Sequence, residues 1–453
     1  MTERFDVFVI GGGGTGSEVA FRLAEHGMRV AVAERDKLGG ECNHYGCIPT
    51  KVMLRSAKIA ALARDAGRFG VRIPSVDVDL AAVQQRAHEV IDAQSGEGAA
   101  PFERAGIRVL MQEARLIGDH RIELADGTVA EADRVVLTTG TEATIPPIEG
   151  LAAGPYWTNK EAIWKPTSTP ASLAVIGAGA IGIEFAQIYA RFGSRVTVLE
   201  ALPHVVPNED EASAAALVPA LEEEGIELRA GVTIERAMHG AEGWTLDVAD
   251  DERVRAEEVL VATGRRPVFD GHDLAAAGVD LDERGHPVLT ETLRMTGPDV
   301  WAAGDATGEL LFTHVGGYEA EIVVDDILGT PRARDYRVVP RVTFCDPEVA
   351  SVGLTERQAL EQGRPVRTSV SLLAGNERAD IDGRRHGLVK LVGDADTKEL
   401  LGGHIVAEEA GAMIHEVVAL MATHGSTRVA GAAIHAYPTL SESVKAALAG
   451  LER

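Results

Sequence analysis

Basic residues are in short supply. The 453-residue chain carries 44 Lys and Arg against 69 Asp and Glu, for a formal net charge of −25. Such a surface repels phosphate, which argues against nucleic-acid or anionic-membrane binding as the main activity. Long apolar runs are missing as well, and no stretch approaches the ~18 residues a membrane-crossing helix requires. The opening MTERFDVFVIGGGG passes from a polar start into a short apolar strand and glycines, with no cleavage site. A cytoplasmic chain is expected. Cysteine is rare, with three in all, and in a reducing compartment a purely structural disulfide is disfavoured.

What is present is ordinary for a soluble globular chain with sizeable cores: 45% hydrophobic and 25% charged residues. The length suggests roughly two to four domains. Two of the three cysteines, Cys42 and Cys47, fall in one short stretch, ECNHYGCIPTK at 41–51. A metal site, a structural disulfide and a reactive pair all compete for it. Two thiols are few for zinc, and no Cys/His cluster with ligand spacing follows.

The organising feature is a repeat. RFDVFVIGGGGTGSEVAFRLAEHGMRVAVAERD holds Gly11-x-Gly13-x-x-Gly16, and SLAVIGAGAIGIEFAQIYARFGSRVTVLEA holds Gly177-x-Gly179-x-x-Gly182. Each has an apolar β-branched run before the glycines, a helical pattern after them, and a second apolar run ending in an acid. Glu34 and Glu200 both fall 23 residues after the first glycine of their motif. Strand, turn, helix, strand and acid in this order point to dinucleotide binding. The first glycine makes the tight turn, the second admits a pyrophosphate, and the third lets helix and strand pack closely, with the anion at the helix N-terminus. Glu34 and Glu200 would accept hydrogen bonds from adenosine ribose hydroxyls. A carboxylate at 200 repels a 2′-phosphate, so NAD(H) is favoured if the second copy binds nicotinamide.

Each repeat is followed by a strand entering a Thr-Gly turn, RVVLTTGT at 134–141 and EVLVATGR at 258–265. A third strand-turn, DVWAAGDATG at 299–308, includes Asp305. Proline-rich breaks at 144–150 and 165–170 mark a crossing between domains. From about residue 337 the texture changes to strands (RVVPRVTF, HGLVKLVGD, LLGGHIVA) and then helices from 411 onward, an α+β pattern with no nucleotide fingerprint. The expected fold is α/β, with two Rossmann-like dinucleotide-binding domains and a C-terminal α+β domain. The boundaries read as 1–146 and 269–336 for the first dinucleotide-binding domain, 147–268 for the second, and 337–453 for the C-terminal domain.

With GGGGTG, GGECNHYGCIPTK, GAGAIGIEFA, VATGRRP, AAGDATG, VTFCDPEVASVG and GGHIVAEEAGAMIHEVV in this order, the chain resembles the class I FAD-dependent pyridine nucleotide–disulfide oxidoreductases over essentially its whole length. Within that family it looks most like dihydrolipoamide dehydrogenase and mercuric reductase. The resemblance implies FAD at the first repeat (Gly11, Gly13, Gly16, Glu34, with Gly40, Lys51, Ala114, Gly140 and Asp305). It implies NADH at the second (Gly177, Gly179, Gly182, Glu200, with Gly264). It implies a homodimer. Cys42 and Cys47 become the redox disulfide, Cys47 the flavin-facing thiol and Cys42 the outer thiol that attacks substrate. In an ideal helix, positions five apart lie roughly 8 Å from one another, beyond the ~6.8 Å Cα separation a disulfide tolerates. The pair can bridge only on a distorted helix start, which Gly46 and Pro49 would allow. Lys51, one turn after Cys47, matches the family's lysine beside the flavin, paired with Glu184. Cys345 is expected to be a buried spectator.

The chain departs from the family at its C-terminal HPTLSE motif, where it reads HAYPTLSE at 435–442. Tyr437 occupies the position of the thiol base, while Glu442 is kept. His435 stands two residues earlier, about 7 Å away along an extended segment. A phenol of pKa ~10 is a poor thiol base at neutral pH. This points to an acceptor other than lipoamide, with Tyr437 completing the partner subunit's site. The chain ends AALAGLER, without the cysteine pair that mercuric reductases use to pass on Hg(II). His44 is expected to be a wall residue rather than a substitute base. Glu41, where the family has Thr near the FAD pyrophosphate, is expected to point away from phosphate. The expected function is an NADH-dependent flavoprotein disulfide oxidoreductase acting on a small-molecule disulfide, quinone or other acceptor, with no metal cofactor. The alternatives are a mercuric-reductase-like or quinone, dye or metal reductase (diaphorase) acting through the flavin, and a non-catalytic nucleotide-binding sensor.

Overall fold

A computed structural model describes residues 3–118, 120–249, 252–283, 285–297 and 299–452. The chain forms two compact units. The first comprises Met1–Pro49, Gln85–Thr144 and Arg265–Asp335, and the second Thr50–Gln84, Ile145–Gly264 and Tyr336–Arg453.

In the first unit, Arg4–Ile10 lies between Val30–Ala33 and Val129–Leu137, parallel to both. Arg108–Leu110 extends one edge, and Val300–Ala302 pairs parallel with 129–137. Arg121–Leu124 and Ala114–Leu116 add antiparallel strands beyond. A continuous apolar run, Val7–Ile10, whose successive side chains point to opposite faces, explains why both faces of the central strand are covered. Val7 and Val9 enter a core with Val19, Leu23, Trp301 and Ile322, while Phe8 and Ile10 enter another with Leu116, Ile122 and Met295.

In the second unit, Ser172–Ile176 lies between Arg195–Glu200 and Glu258–Val261, with Glu227–Ala230 at one edge, all parallel. An antiparallel three-stranded sheet, Ile234–Gly240, Gly243–Val248 and Glu252–Ala256, packs Trp244, Leu246 and Val254 on Ile176 and Val259. The C-terminal part is a five-stranded antiparallel sheet in the order Pro340–Thr343, Glu348–Gly353, Leu400–Ala407, Leu388–Asp394, Val366–Leu372. Helices Ala410–Ala422 and Glu442–Gly450 share its core through Ile414, Val417, Val444 and Leu448. Among the described residues, no helix is long and apolar enough to cross a membrane.

Candidate active site

The two glycine repeats fold alike down to single hydrogen bonds. Gly11 and Gly177 turn the chain with φ of +108° and +102°, and a Cβ on either would strike a backbone oxygen, Thr138 O at 2.2 Å or Ala262 O at 2.5 Å. Those carbonyls end the strands that lead into the two Thr-Gly turns. A Cβ on Gly16 would lie 2.0 Å from Gly11 O, and one on Gly182 2.0 Å from Gly177 O. Only glycine permits so close a helix–strand contact. The acids match as well. Glu34 accepts from Gly12 N and Asp36 N, both at 2.8 Å, and Glu200 accepts from Ala178 N at 2.7 Å and Leu202 N at 2.8 Å.

Each repeat therefore presents a fixed carboxylate and an open helix start. A Cβ at Gly14 or Gly179 would meet nothing within 4 Å, so space lies where a pyrophosphate would take the N–H groups of the Gly14–Glu25 and Ala180–Phe192 helices. The residues fit a dinucleotide in both places. Gly40 backs the first turn, since a Cβ there would reach Gly13 Cα at 2.8 Å. Gly140 and Gly264 have φ of +70° and +121° with open space beside them, and Ala114 is buried in its strand.

Asp305 sits on the short turn after Val300–Ala302 and accepts from the Thr141 hydroxyl at 3.2 Å. Burial raises its carboxyl, opposed by Arg265 and that hydroxyl. Arg265 donates to Thr141 Oγ1 at 2.8 Å and Thr141 O at 2.9 Å, and pairs with Glu41 Oε1 at 2.7 Å. This accounts for Glu41: its carboxylate holds Arg265, so it brings no unpaired charge to a phosphate site.

The thiols do not share one helix. Cys42 lies in Gly40–His44, and Cys47 opens Cys47–Asp65 after a break at Tyr45–Gly46. Gly46 makes the break tight: a Cβ on it would lie 3.1 Å from Glu41 O and 3.4 Å from Cys42 Cα. Both cysteines are free thiols, Cys42 half-buried and Cys47 exposed. The hydrogen bond with Cys47, and burial after it, push the Cys42 thiol well above its ordinary range, while the Thr313 hydroxyl pulls the other way. Thr313, the first residue of Thr313–Ile327, donates to Cys42 Sγ at 3.1 Å and lies 3.6 Å from Cys47 Sγ. No motif or spacing rule singles out Thr313. His44 Nε2 is within 2.9 Å of Leu38 O, a contact that ties the ring to its own loop.

In the second unit, Lys51 Nζ donates to both oxygens of Glu184, at 3.1 and 2.9 Å, and rests 4.7 Å from the centre of the Phe344 ring. Phe344 N donates to Glu184 Oε1 at 2.9 Å. Glu184 belongs to a buried polar row on its helix. Gln187 exchanges two 2.8 Å hydrogen bonds with the backbone of Asp346, and Arg191 pairs with Asp346 at 2.9 Å and Glu224 at 2.6 Å. Residues at i, i+3 and i+7 share a face, so this one helix fixes the loop carrying Phe344 and Cys345. Burial works against the Asp346 charge, but Arg191 and Arg384 hold its carboxyl below the usual range. Cys345 is enclosed, and burial raises its thiol.

Comparison with known proteins agrees with this arrangement. The pyridine nucleotide–disulphide oxidoreductase family matches residues 5–320, and the dimerisation domain of the same family matches 339–448. The chain belongs to this family. Dihydrolipoyl dehydrogenase of Chlorobaculum tepidum is 35% identical over 460 residues, covering 99% of this chain and 97% of the relative. Mercuric reductase of Bacillus cereus is 33% identical over 416 residues, 91% of this chain and 66% of the relative. Among solved structures, the HOCl-induced flavoprotein disulfide reductase RclA of Escherichia coli superposes with a TM-score of 0.88 at 28% identity, covering 98% of this chain and 99% of that one. The protein is an FAD-dependent oxidoreductase that uses NAD(H), with a homodimerisation domain at its C-terminus.

The C-terminal segment HAYPTLSE occupies residues 435–442. Tyr437 is 71% exposed. Glu442 accepts from Thr439 N at 3.1 Å and so closes the turn before its own helix. His435 Nε2 lies 3.1 Å from Glu416 Oε1. The imidazole of this segment thus has a carboxylate partner other than Glu442.

Proposed function

We propose that this oxidoreductase transfers reducing equivalents from NADH to a small-molecule disulfide through Cys42 and Cys47, and that lipoamide is not its natural acceptor. The observation carrying the proposal is the pair of adjacent free thiols gathered around Thr313, in a chain with tyrosine at the family's base position. In this reading, residues 1–146 and 269–336 bind FAD, 147–268 bind NAD(H), and 337–453 dimerise. Gly11, Gly13, Gly16, Glu34, Gly40, Lys51, Ala114, Gly140 and Asp305 hold FAD. Gly177, Gly179, Gly182, Glu200 and Gly264 hold NADH. FAD, when bound, supplies two-electron chemistry between nicotinamide and disulfide. The Lys51 ammonium, anchored by Glu184, supplies a fixed positive charge.

The thiol steps balance on this chain's own atoms. Cys42 Sγ attacks one sulfur of the acceptor and expels the first thiolate. Cys47 Sγ then attacks Cys42 Sγ, releasing the second acceptor sulfur and closing the Cys42–Cys47 disulfide. The acceptor is reduced by two electrons and the pair is oxidised by two. Tyr437 and Glu442 complete this site from the partner subunit, with the phenol as proton donor or substrate ligand.

A second reading is metal-ion reduction by the same thiols. RclA is also known as a Cu(II) complex, at a TM-score of 0.88 and 28% identity. An acceptor panel with NADH and the Cys42→Ser variant tests the proposal. Turnover of every acceptor should collapse if the thiols carry the electrons. Retained turnover would assign the reaction to the flavin alone.

A further inference from the structure

We infer that Thr313 is a further catalytic residue: its hydroxyl relays the single proton of the reduced Cys42–Cys47 pair and holds negative charge on Cys42 for attack. The inference rests on the thiol chemistry proposed above. Thr313 Oγ1 donates to Cys42 Sγ at 3.1 Å, and Cys47 Sγ lies 3.6 Å from the same oxygen, where either atom can donate. One hydroxyl between two sulfurs supports two arrays. In one, Cys47 S–H donates to Oγ1 and Oγ1–H donates to the Cys42 thiolate. In the other, both protons move one place, leaving a Cys42 thiol and a Cys47 thiolate. Charge and electron count are the same in both.

The relay matters because the segment that should carry a thiol base has a phenol in its place, and His435 is engaged by Glu416. The direct hydrogen bond with Cys47 and burial favour a protonated Cys42, and the Thr313 hydroxyl is the side-chain contact that opposes them. From the first array, Cys42 attacks as the thiolate without an outside base. The proton kept on Cys47 leaves when Cys47 closes the disulfide, and it ends on the second product thiol. The products are one thiolate and one thiol, matching the thiolate and thiol consumed. A hydrogen bond to a charged group is the stronger kind, so losing it should cost the outer thiolate most.

Other groups that carry charge or titrate stand near the pair or near Thr313 along the chain. Glu41, next to Cys42, is paired with Arg265. Asp305 lies on the turn preceding the Thr313 helix, Lys51 follows Cys47 by one turn, and His314 follows Thr313 and stacks on Phe312. The test must therefore report on each sulfur separately.

FAD-loaded enzyme reduced with NADH is alkylated with iodoacetamide at about pH 5 to 9, and Cys42 and Cys47 are quantified by peptide mass spectrometry. Turnover is followed with 5,5′-dithiobis(2-nitrobenzoate). Thr313→Val, which keeps the shape, should raise the Cys42 alkylation midpoint by about one unit or more and lower turnover about tenfold or more. Thr313→Ser should restore both. Thr313→Ala replaces Val if Val impairs FAD binding. An unmoved Cys42 midpoint with turnover within about twofold of wild type would overturn the relay. Cys42→Ser, run alongside, separates the two claims. If it keeps full turnover, the thiol mechanism itself fails; if it is inactive while Thr313→Val is normal, only the relay fails.

Discussion

Lys51 and Glu184 form a two-pronged ion pair, 3.1 and 2.9 Å, joining a side chain 36% exposed to one 5% exposed. Glu184 spends its charge on this lysine and on Phe344 N. Removing it leaves Lys51 without its anchor. Glu184→Gln should slow flavin reduction by NADH about 10- to 100-fold in rapid-mixing experiments, in line with loss of a hydrogen bond to a charged group. A double-mutant cycle with Lys51→Met should show coupling of about 0.5–3 kcal/mol. Additive effects would mean that Lys51 acts independently of Glu184.

Glu200 is proposed to set the coenzyme preference. Both of its oxygens accept backbone N–H groups, which fixes the carboxylate where a 2′-phosphate would approach. The following Ala201-Leu202-Pro203-His204 offers no Arg cluster to receive one. NADH should be preferred over NADPH by about ten- to a hundredfold in kcat/KM, or ~1.4–3 kcal/mol. Equal efficiency with the two coenzymes would contradict this role.

Tyr437 separates three outcomes. If it fills space, Tyr437→Phe changes little. If it marks a lost base, Tyr437→His should raise dihydrolipoamide or disulfide turnover, within the ~10²–10⁴-fold range of general acid–base catalysis. The expected outcome is a third, in which Phe impairs reoxidation by the natural acceptor and leaves flavin reduction normal. A Phe variant slow in flavin reduction would place Tyr437 on the wrong side of the reaction.

His272 predicts a pH dependence of stability. Its Nδ1 accepts from Leu116 N at 3.1 Å, which requires that nitrogen to be unprotonated, and burial pushes the imidazole down to about 4. The folded state therefore favours neutral His272. Its contribution is fully present above the unfolded value near 6.5 and is lost as the pH falls from there toward 4. Comparing urea unfolding of wild type and His272→Gln at steps between these limits should show a wild-type disadvantage that grows on acidification by up to about 3 kcal/mol. A difference independent of pH would remove the effect.

The parts of this molecule that repeat a local rule were legible in its sequence. Gly11 and Gly177, each after a short apolar strand, announced two nucleotide folds because turn, helix start and acid are all encoded within one short stretch. The 234–256 sheet was not legible. GWTLDVADDERVRA is polar and short, and its inward Trp244, Leu246 and Val254 show their alternation only against a partner sheet. The buried row Glu184, Gln187 and Arg191 reads as a solvent face until the 344–346 loop is laid on it. Thr313 lies 266 residues from Cys47, and no spacing rule joins them. Glu41 made sense only once Arg265 was in place.

Each subunit is expected to store electrons in a flavin and in a Cys42–Cys47 disulfide. Anaerobic titration of the oxidised enzyme with dithionite, followed by its visible spectrum, tests it directly. Wild type should take up about two equivalents per flavin, one for each two-electron centre, with a long-wavelength band after the first. Cys42→Ser should take up about one. If wild type and variant both consume a single equivalent and show the same spectra, no redox disulfide operates in this protein.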